Sequence, residues 1–153
     1  MSNKKPDIRL RLVIIKDGKV LVQYSKDMNM YFYIGGHQEF GENMLDGCIR
    51  EIKEECGENY EFKFKKILYV RDYIDPKWDQ SNLELFILGE LNNYEGLEGK
   101  LDPQHPKDSM FTTWLDLKNL PDNLYPKQLS KKLYEDHKKD FNNVCGEYLG
   151  ELS

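Results

Sequence analysis

No apolar run in this chain approaches the roughly 20 residues that cross a bilayer as a helix. The opening stretch, Met1-Ser2-Asn3-Lys4-Lys5-Pro6, carries none of the apolar core of a signal peptide. Cysteine is scarce. There are three, an odd number, with no CxxC and no histidine pairing at zinc spacing, which speaks against a disulfide framework or a structural zinc. A reducing cytoplasm, away from membranes, is the expected home. Basic charge is short as well: 22 Lys+Arg against 27 Asp+Glu leave a net −5 and a pI near 5.3. That balance disfavours broad binding to a nucleic-acid backbone. It leaves room for a small phosphate-bearing substrate, because a metal ion and a few local Lys or Arg can reverse the sign inside a cleft. Internal repeats, low-complexity tracts and linkers are also lacking. With 153 residues, 39% hydrophobic and 32% charged, the chain reads as a single domain over 1–153 with its own core.

Ile8 to Ile15 is apolar and β-branched, with Arg9 and Arg11 alternating in its first half, and predicts a strand. Asp17-Gly18 signals a tight turn into a return strand, Lys19 to Tyr24. After a loop over Ser25 to Met30, Tyr31-Phe32-Tyr33-Ile34 predicts a short aromatic strand that ends at Gly35-Gly36. Asn43 is placed to cap a helix from about Met44 to Cys56, with Asp46 as its capping-box-like partner and Gly57 as the left-handed stop. Tyr60 to Asp72 and Leu83 to Leu91 predict further strands, broken between them at Asp75-Pro76. Asn92 to Ser109 is a long polar loop, with Gly96, Gly99, Pro103 and Pro106, of the kind that carries function or moves. Phe111 to Leu115 predicts a last core strand. Leu129, Leu133 and Phe141 predict an amphipathic helix from Pro126 to about Phe141, solvated by Lys127, Lys131, Lys132, Lys138 and Lys139. The last dozen residues give no clear pattern. Strands mixed with two helices predict an α+β fold with a mixed sheet between helices.

The chemistry gathers at Arg50-Glu51-Ile52-Lys53-Glu54-Glu55-Cys56-Gly57. At about 100° per residue, with Glu51 at zero, Glu55 falls near ~40° and Glu54 near ~−60°, so the three carboxylates share a face. Leu45, Cys48, Ile49, Ile52 and Cys56 fall on the adjacent face, the core side. A glutamate-rich helical stretch is ordinarily a solvated face, but these acids border the core, as a cleft requires. Carboxylates this close repel unless a cation or a proton intervenes. All-oxygen ligands suit Mg²⁺ or Mn²⁺. Gly35 or Gly36 could add a backbone carbonyl, and Arg50 could hold one of the acids by a charge-assisted bond. Cys48 and Cys56, on the apolar face, read as buried thiols.

Gly36, Glu42 and Arg50-Glu51-Ile52-x-Glu54-Glu55-x-Gly57 resemble the Nudix box, GX5EX7REUXEEXGU, at every fixed polar and glycine position. The flanking GGxxExGE is matched by Gly35, Gly36, Glu39, Gly41 and Glu42. The final aliphatic position departs: it is Glu58, so Tyr60 is expected to fill that space or the helix exit to shift. Gly47-Cys48 keeps the helix slim, and Ile34 stands where a proline is frequent.

The resemblance implies an α/β/α sandwich, the Nudix fold, and a Mg²⁺- or Mn²⁺-dependent hydrolase of a nucleoside diphosphate linked to another group. Examples are a (deoxy)nucleoside triphosphate, ADP-ribose or a nucleotide sugar. It carries the metal over to Glu51, Glu54 and Glu55, with Glu42 and the Gly35 carbonyl assisting. It carries catalysis to Arg50, Glu51 and Glu54, with Glu51 the first choice of base. An acid outside the box is the second, with Glu84, Asp79 and Asp108 as candidates. Base stacking could come from Phe32, Tyr33, Tyr73 or Trp78, and His37 and His105 lie near the expected cleft. Tyr73 and Pro76 fit neither of the family's downstream substrate spacings. Dimers are frequent in the family. Two other readings stand beside the enzyme: a catalytically silent Nudix-fold nucleotide sensor, which an eroded box would favour, and an RNA 5′-end pyrophosphohydrolase, which the acidic balance disfavours.

Overall fold

The structure is a computed structural model that describes residues 4–105 and 108–152. Met1 to Asn3 and Pro106, both named above, lie outside those residues. Alternating and β-branched segments form β1 (Asp7–Lys16), β2 (Lys19–Ser25) and β3 (Met30–His37), followed by helix α1 (Met44–Glu55). Then come β4 (Phe62–Asp75), β5 (Gln80–Leu91), β6 (Met110–Asp116), β7 (Leu124–Tyr125), helix α2 (Leu129–Lys138) and β8 (Glu147–Glu151). Among the described residues the strands make one mixed sheet in the order β6-β2-β3-β1-β5-β4-β8, with β7 beside β3. β1 runs parallel to β5 and antiparallel to β3, so Arg9, Leu10 and Arg11 sit opposite His37, Gly36 and Gly35.

Each helix covers one face of the sheet. Leu10, Leu12 and Ile14 of β1 turn to the α1 side and pack with Ile34, Ile87, Cys48, Ile52 and Cys56. Val13, with Val20, Val22, Tyr33 and Phe86, turns to the α2 side against Leu129 and Leu133. This alternation, period two along the strands and near four along the helices, is what makes the α/β/α layers. Asn43 caps α1, its side chain accepting from the Asp46 N–H at 2.8 Å. Gly57 at φ +129° ends the helix by donating to the carbonyls of Ile52 and Lys53. Tyr60 fills the space left by Glu58: it is buried with Cys56 and Leu97, and its hydroxyl donates to the Glu95 carbonyl.

Three expectations need correction. α2 spans Leu129–Lys138, shorter than Pro126 to Phe141. The chain turns left-handed at Asp140 and Phe141, and the Phe141 N–H donates back to the Asp136 carbonyl. Phe141 is buried against the helix end, so its spacing marked burial and not helix. Leu45, assigned to the core side, is 44% exposed because it lies in the first turn, beyond the reach of the sheet. The patternless C-terminal residues form β8, parallel to β4 with Tyr69 opposite Glu147. An edge strand of this kind is held by backbone bonds and carries little alternation. Lys132 of α2 reaches Glu147 of β8 at 2.9 Å, a role beyond solvating the helix.

Candidate active site

β3 ends in Gly35-Gly36, and α1 returns over it. Gly35 takes φ +128°, and a Cβ built there would lie 1.9 Å from the Leu10 carbonyl oxygen, so only glycine lets β3 pair with β1 at this point. The Gly35 N–H donates to Glu55 Oε2 at 2.7 Å, and its carbonyl accepts from Arg11 Nη1 at 3.3 Å. A Cβ on Gly36 would stand 2.9 Å from Glu51 Oε1, so the missing side chain is what lets that carboxylate lie on the strand. Gly47 does the same for helix packing, where a Cβ would meet Leu10 Cδ1 at 2.6 Å.

Arg50 organises the acids. Its Nε and Nη2 form a fork on Glu42, at 3.0 and 2.7 Å. Its Nη1 donates to Glu51 at 3.0 Å and Glu54 at 3.1 Å, and Nη2 also donates to the His37 carbonyl at 2.9 Å. The residues alone suggest one carboxylate for Arg50 and the resemblance a role in orienting several; its hydrogen bonds reach three. Glu42 in turn accepts from the Glu39 N–H at 2.8 Å, and these bonds, chiefly the one from Arg50, hold its pKa low. Glu51 and Glu55 are 6% and 7% exposed. Burial raises the Glu51 carboxyl despite Arg50. Burial, then the charge of Glu51, raises Glu55 well above the carboxylate range.

The acids face a cleft of about 470 Å³, and the long loop supplies its other wall: Asp102, Gln104 and His105. Asp102 is buried, and its Oδ2 accepts from Gln23 Nε2 at 3.0 Å. Its Oδ1 accepts from the Gln104 N–H at 2.9 Å, and His105 Nε2 lies 3.7 Å from Oδ2. Asp102 is the site residue that sequence reasoning missed. The available signal was indirect: Gln23 interrupts an apolar strand and needs a buried partner.

The acids proposed outside the motif sit elsewhere. Glu84 is buried between Arg11 and Arg71, and Asp79 and Asp108 are exposed in turns away from the cleft lining. Trp78 is 67% exposed in the β4–β5 turn, whereas Phe32, Tyr33 and Tyr73 line a second cavity on the far side of β3.

Of the residues assigned to a metal, Glu51, Glu54 and Glu55 share the cleft, Glu42 stands behind Arg50, and the Gly35 carbonyl is turned to Arg11. As they stand, no three His, Cys, Asp or Glu side chains among the described residues are grouped to hold one ion. Arg50 Nη1 lies between Glu51 and Glu54, and the Gly35 N–H engages Glu55. The donor chemistry does fit a hard cation: all oxygen, with two buried carboxylates whose pKa values burial raises.

No family model matches the sequence, and no curated protein matches it. Solved structures do. A NUDIX hydrolase from Nitrosomonas europaea superposes with a TM-score of 0.70 at 14% identity, over 98% of this chain and 80% of that one. An ADP-ribose pyrophosphatase from Streptococcus suis 89-1591 gives 0.66 at 18% identity, over 94% and 98%. A UDP-X diphosphatase gives 0.67 at 17% identity, over 97% and 68%. At such identities the likeness concerns the fold.

Proposed function

We propose that this chain, which has the Nudix fold, is a hydrolase that cleaves the diphosphate link of a small nucleotide derivative with Mg²⁺, or Mn²⁺ in its place. The observation that carries the reading is the buried pair Glu51 and Glu55, laid against Gly35-Gly36 and tied through Arg50 to Glu54 and Glu42. Burying carboxylates without a full counter-charge is costly, and a site of this kind is retained for chemistry. Every polar position of the motif is present, which favours turnover over silent sensing.

Glu51, Glu54 and Glu55 would hold the cation, with Glu42 kept in place by the Arg50 fork. When bound, it supplies charge neutralisation for the diphosphate oxygens and acidifies the attacking water. The chain's own groups do the rest. Arg50 fixes the rotamers of three acids, which is positioning work. Glu51 from α1 and Asp102 from the loop line the cleft, and both are candidates to take a proton from water. The printed activities of two neighbours, an ADP-ribose pyrophosphatase and a UDP-X diphosphatase, support a nucleotide-linked diphosphate as the substrate class. A cytoplasmic setting and a homodimer belong to the same reading, and sedimentation tests the dimer.

The test is a panel of nucleoside triphosphates, ADP-ribose, nucleotide sugars and dinucleoside polyphosphates with Mg²⁺ and Mn²⁺, with products resolved. Turnover is expected on at least one class and should fall by about 10²-fold or more in Glu54→Gln and Glu55→Gln. Tight nucleotide binding with no metal-dependent turnover on any member would leave a binding module and not an enzyme.

A further inference from the structure

On the sheet face opposite α1 lies a cavity of about 350 Å³. Tyr33 and Phe86 meet edge to face in its wall, centroids 5.5 Å apart, and Phe32 and Tyr73 add further rings. Three guanidinium groups, Arg9, Arg11 and Arg71, line it against one carboxylate, Glu84. Glu84 is already engaged: Oε1 accepts from Arg71 at 2.7 Å and Oε2 from Arg11 at 3.2 Å. Arg71 also donates to the Leu152 carbonyl, and Arg11 Nη1 donates to the carbonyls of Tyr33 and Gly35.

Arg9 is different. Among the described residues its guanidinium donates through Nε alone, to Asn82 Oδ1 at 3.2 Å, so the Nη groups keep their N–H donors. Burial, then the charge of Arg11, lowers its pKa. In the same cavity wall the Tyr33 hydroxyl, on a side chain that is 1% exposed, has no hydrogen-bond partner among the described residues and can donate or accept. The cavity is thus rich in rings, and Arg9 brings to it N–H donors that lack acceptors. A bare phosphate would answer the charge but not the aromatic walls.

We propose that this cavity selects a purine whose edge offers acceptors, a guanine- or hypoxanthine-class ring with O6 and N7 toward the Nη groups of Arg9, over adenine. Adenine would set its N6 amino donor against donors. The inference rests on the reading of the chain as a hydrolase of nucleotide-linked diphosphates and names the base of that substrate. Arg11 and the segment Tyr33 to Gly35 lie between the two spaces, which have no lining residue in common. Tyr33 lines the cavity, Gly35 lines the acidic cleft, and Arg11 bonds both carbonyls. In the proposal one nucleotide places its base in the cavity and its phosphates in the cleft.

Calorimetric titration of the metal-free protein with GMP, IMP and AMP tests the selection without turnover. GMP and IMP should bind at least about ten-fold tighter than AMP. Arg9→Met should bring the ratio to within about three-fold, and Arg9→Lys should retain part of it. Equal or tighter binding of AMP, no binding of any of the three, or an unchanged ratio in Arg9→Met each overturns the proposal. Turnover of guanine- and adenine-linked diphosphates with Mg²⁺ then separates the two readings. Selective binding without cleavage of any substrate leaves the base selection standing and removes the hydrolase. Cleavage with no base preference removes the selection and leaves the hydrolase.

Discussion

Arg50 and Glu84 show how the same ion-pair chemistry serves two ends. Arg50, partly open to the cleft, spreads one guanidinium over Glu42, Glu51 and Glu54. These bonds are strong enough to set geometry and open enough to be exchanged for a cation. Glu84 is closed in: Arg71, 6% exposed, and Arg11 take both of its oxygens. Burial pushes the Glu84 carboxyl up, but the two guanidinium charges and their hydrogen bonds outweigh it and its pKa is lowered. A carboxylate with a lowered folded pKa adds stability that is present above its unfolded pKa and lost as pH falls through the folded one. Glu84→Gln should therefore destabilise the protein near neutrality by about 3–5 kcal/mol, since Arg71 is left buried without its counter-charge. Its difference from wild type should shrink below about pH 4. Urea unfolding at several pH values measures both; a difference that does not change with pH would show that the pair contributes no charge-dependent stability.

At the scale of elements, the decisive feature is the end of β3. Gly35-Gly36 was legible as a place where backbone comes close to something, and the motif named α1 as its partner. The sequence could not show that β3 continues through both glycines to His37 and stays paired with β1. Register is a long-range property, set here by Leu10 and Leu12 facing α1 while Arg9 and Arg11 face away. Gly35→Ala should cost at least about 2 kcal/mol, combining a left-handed φ with a clash against the Leu10 carbonyl. It should also lower hydrolysis, because the N–H that holds Glu55 moves with the strand. Thermal melting and kcat/KM on the same sample would report this; an unchanged melting temperature would mean that the β1–β3 pairing gives way cheaply. α2 teaches the complementary lesson. The four-residue spacing of Leu129 and Leu133 is true helix, but Phe141 reaches the same core through a left-handed turn. Periodicity reports burial, and burial has more than one backbone solution.

At the scale of the molecule, the cleft exists because two distant segments meet. Asp102 belongs to a loop with no readable pattern, and Gln23 of β2, 79 positions away, anchors it over the acids of α1. If Asp102 takes the proton from water, Asp102→Asn should lower kcat by about 10²–10⁴ with KM little changed. If it only positions the loop, kcat falls modestly and KM rises. The sequence by itself determined the acidic motif, its glycine turn, the capped helix and the two apolar faces. Each depends on neighbours within a few residues or on a fixed period. Only the tertiary structure decided which loop acid faces the cleft, that Glu84 is held by two arginines away from it, and that Arg9 and Tyr33 line one cavity on the other face of the sheet. Those are contacts between residues far apart in the chain. Strand order and register bring them together, and no local spacing encodes strand order.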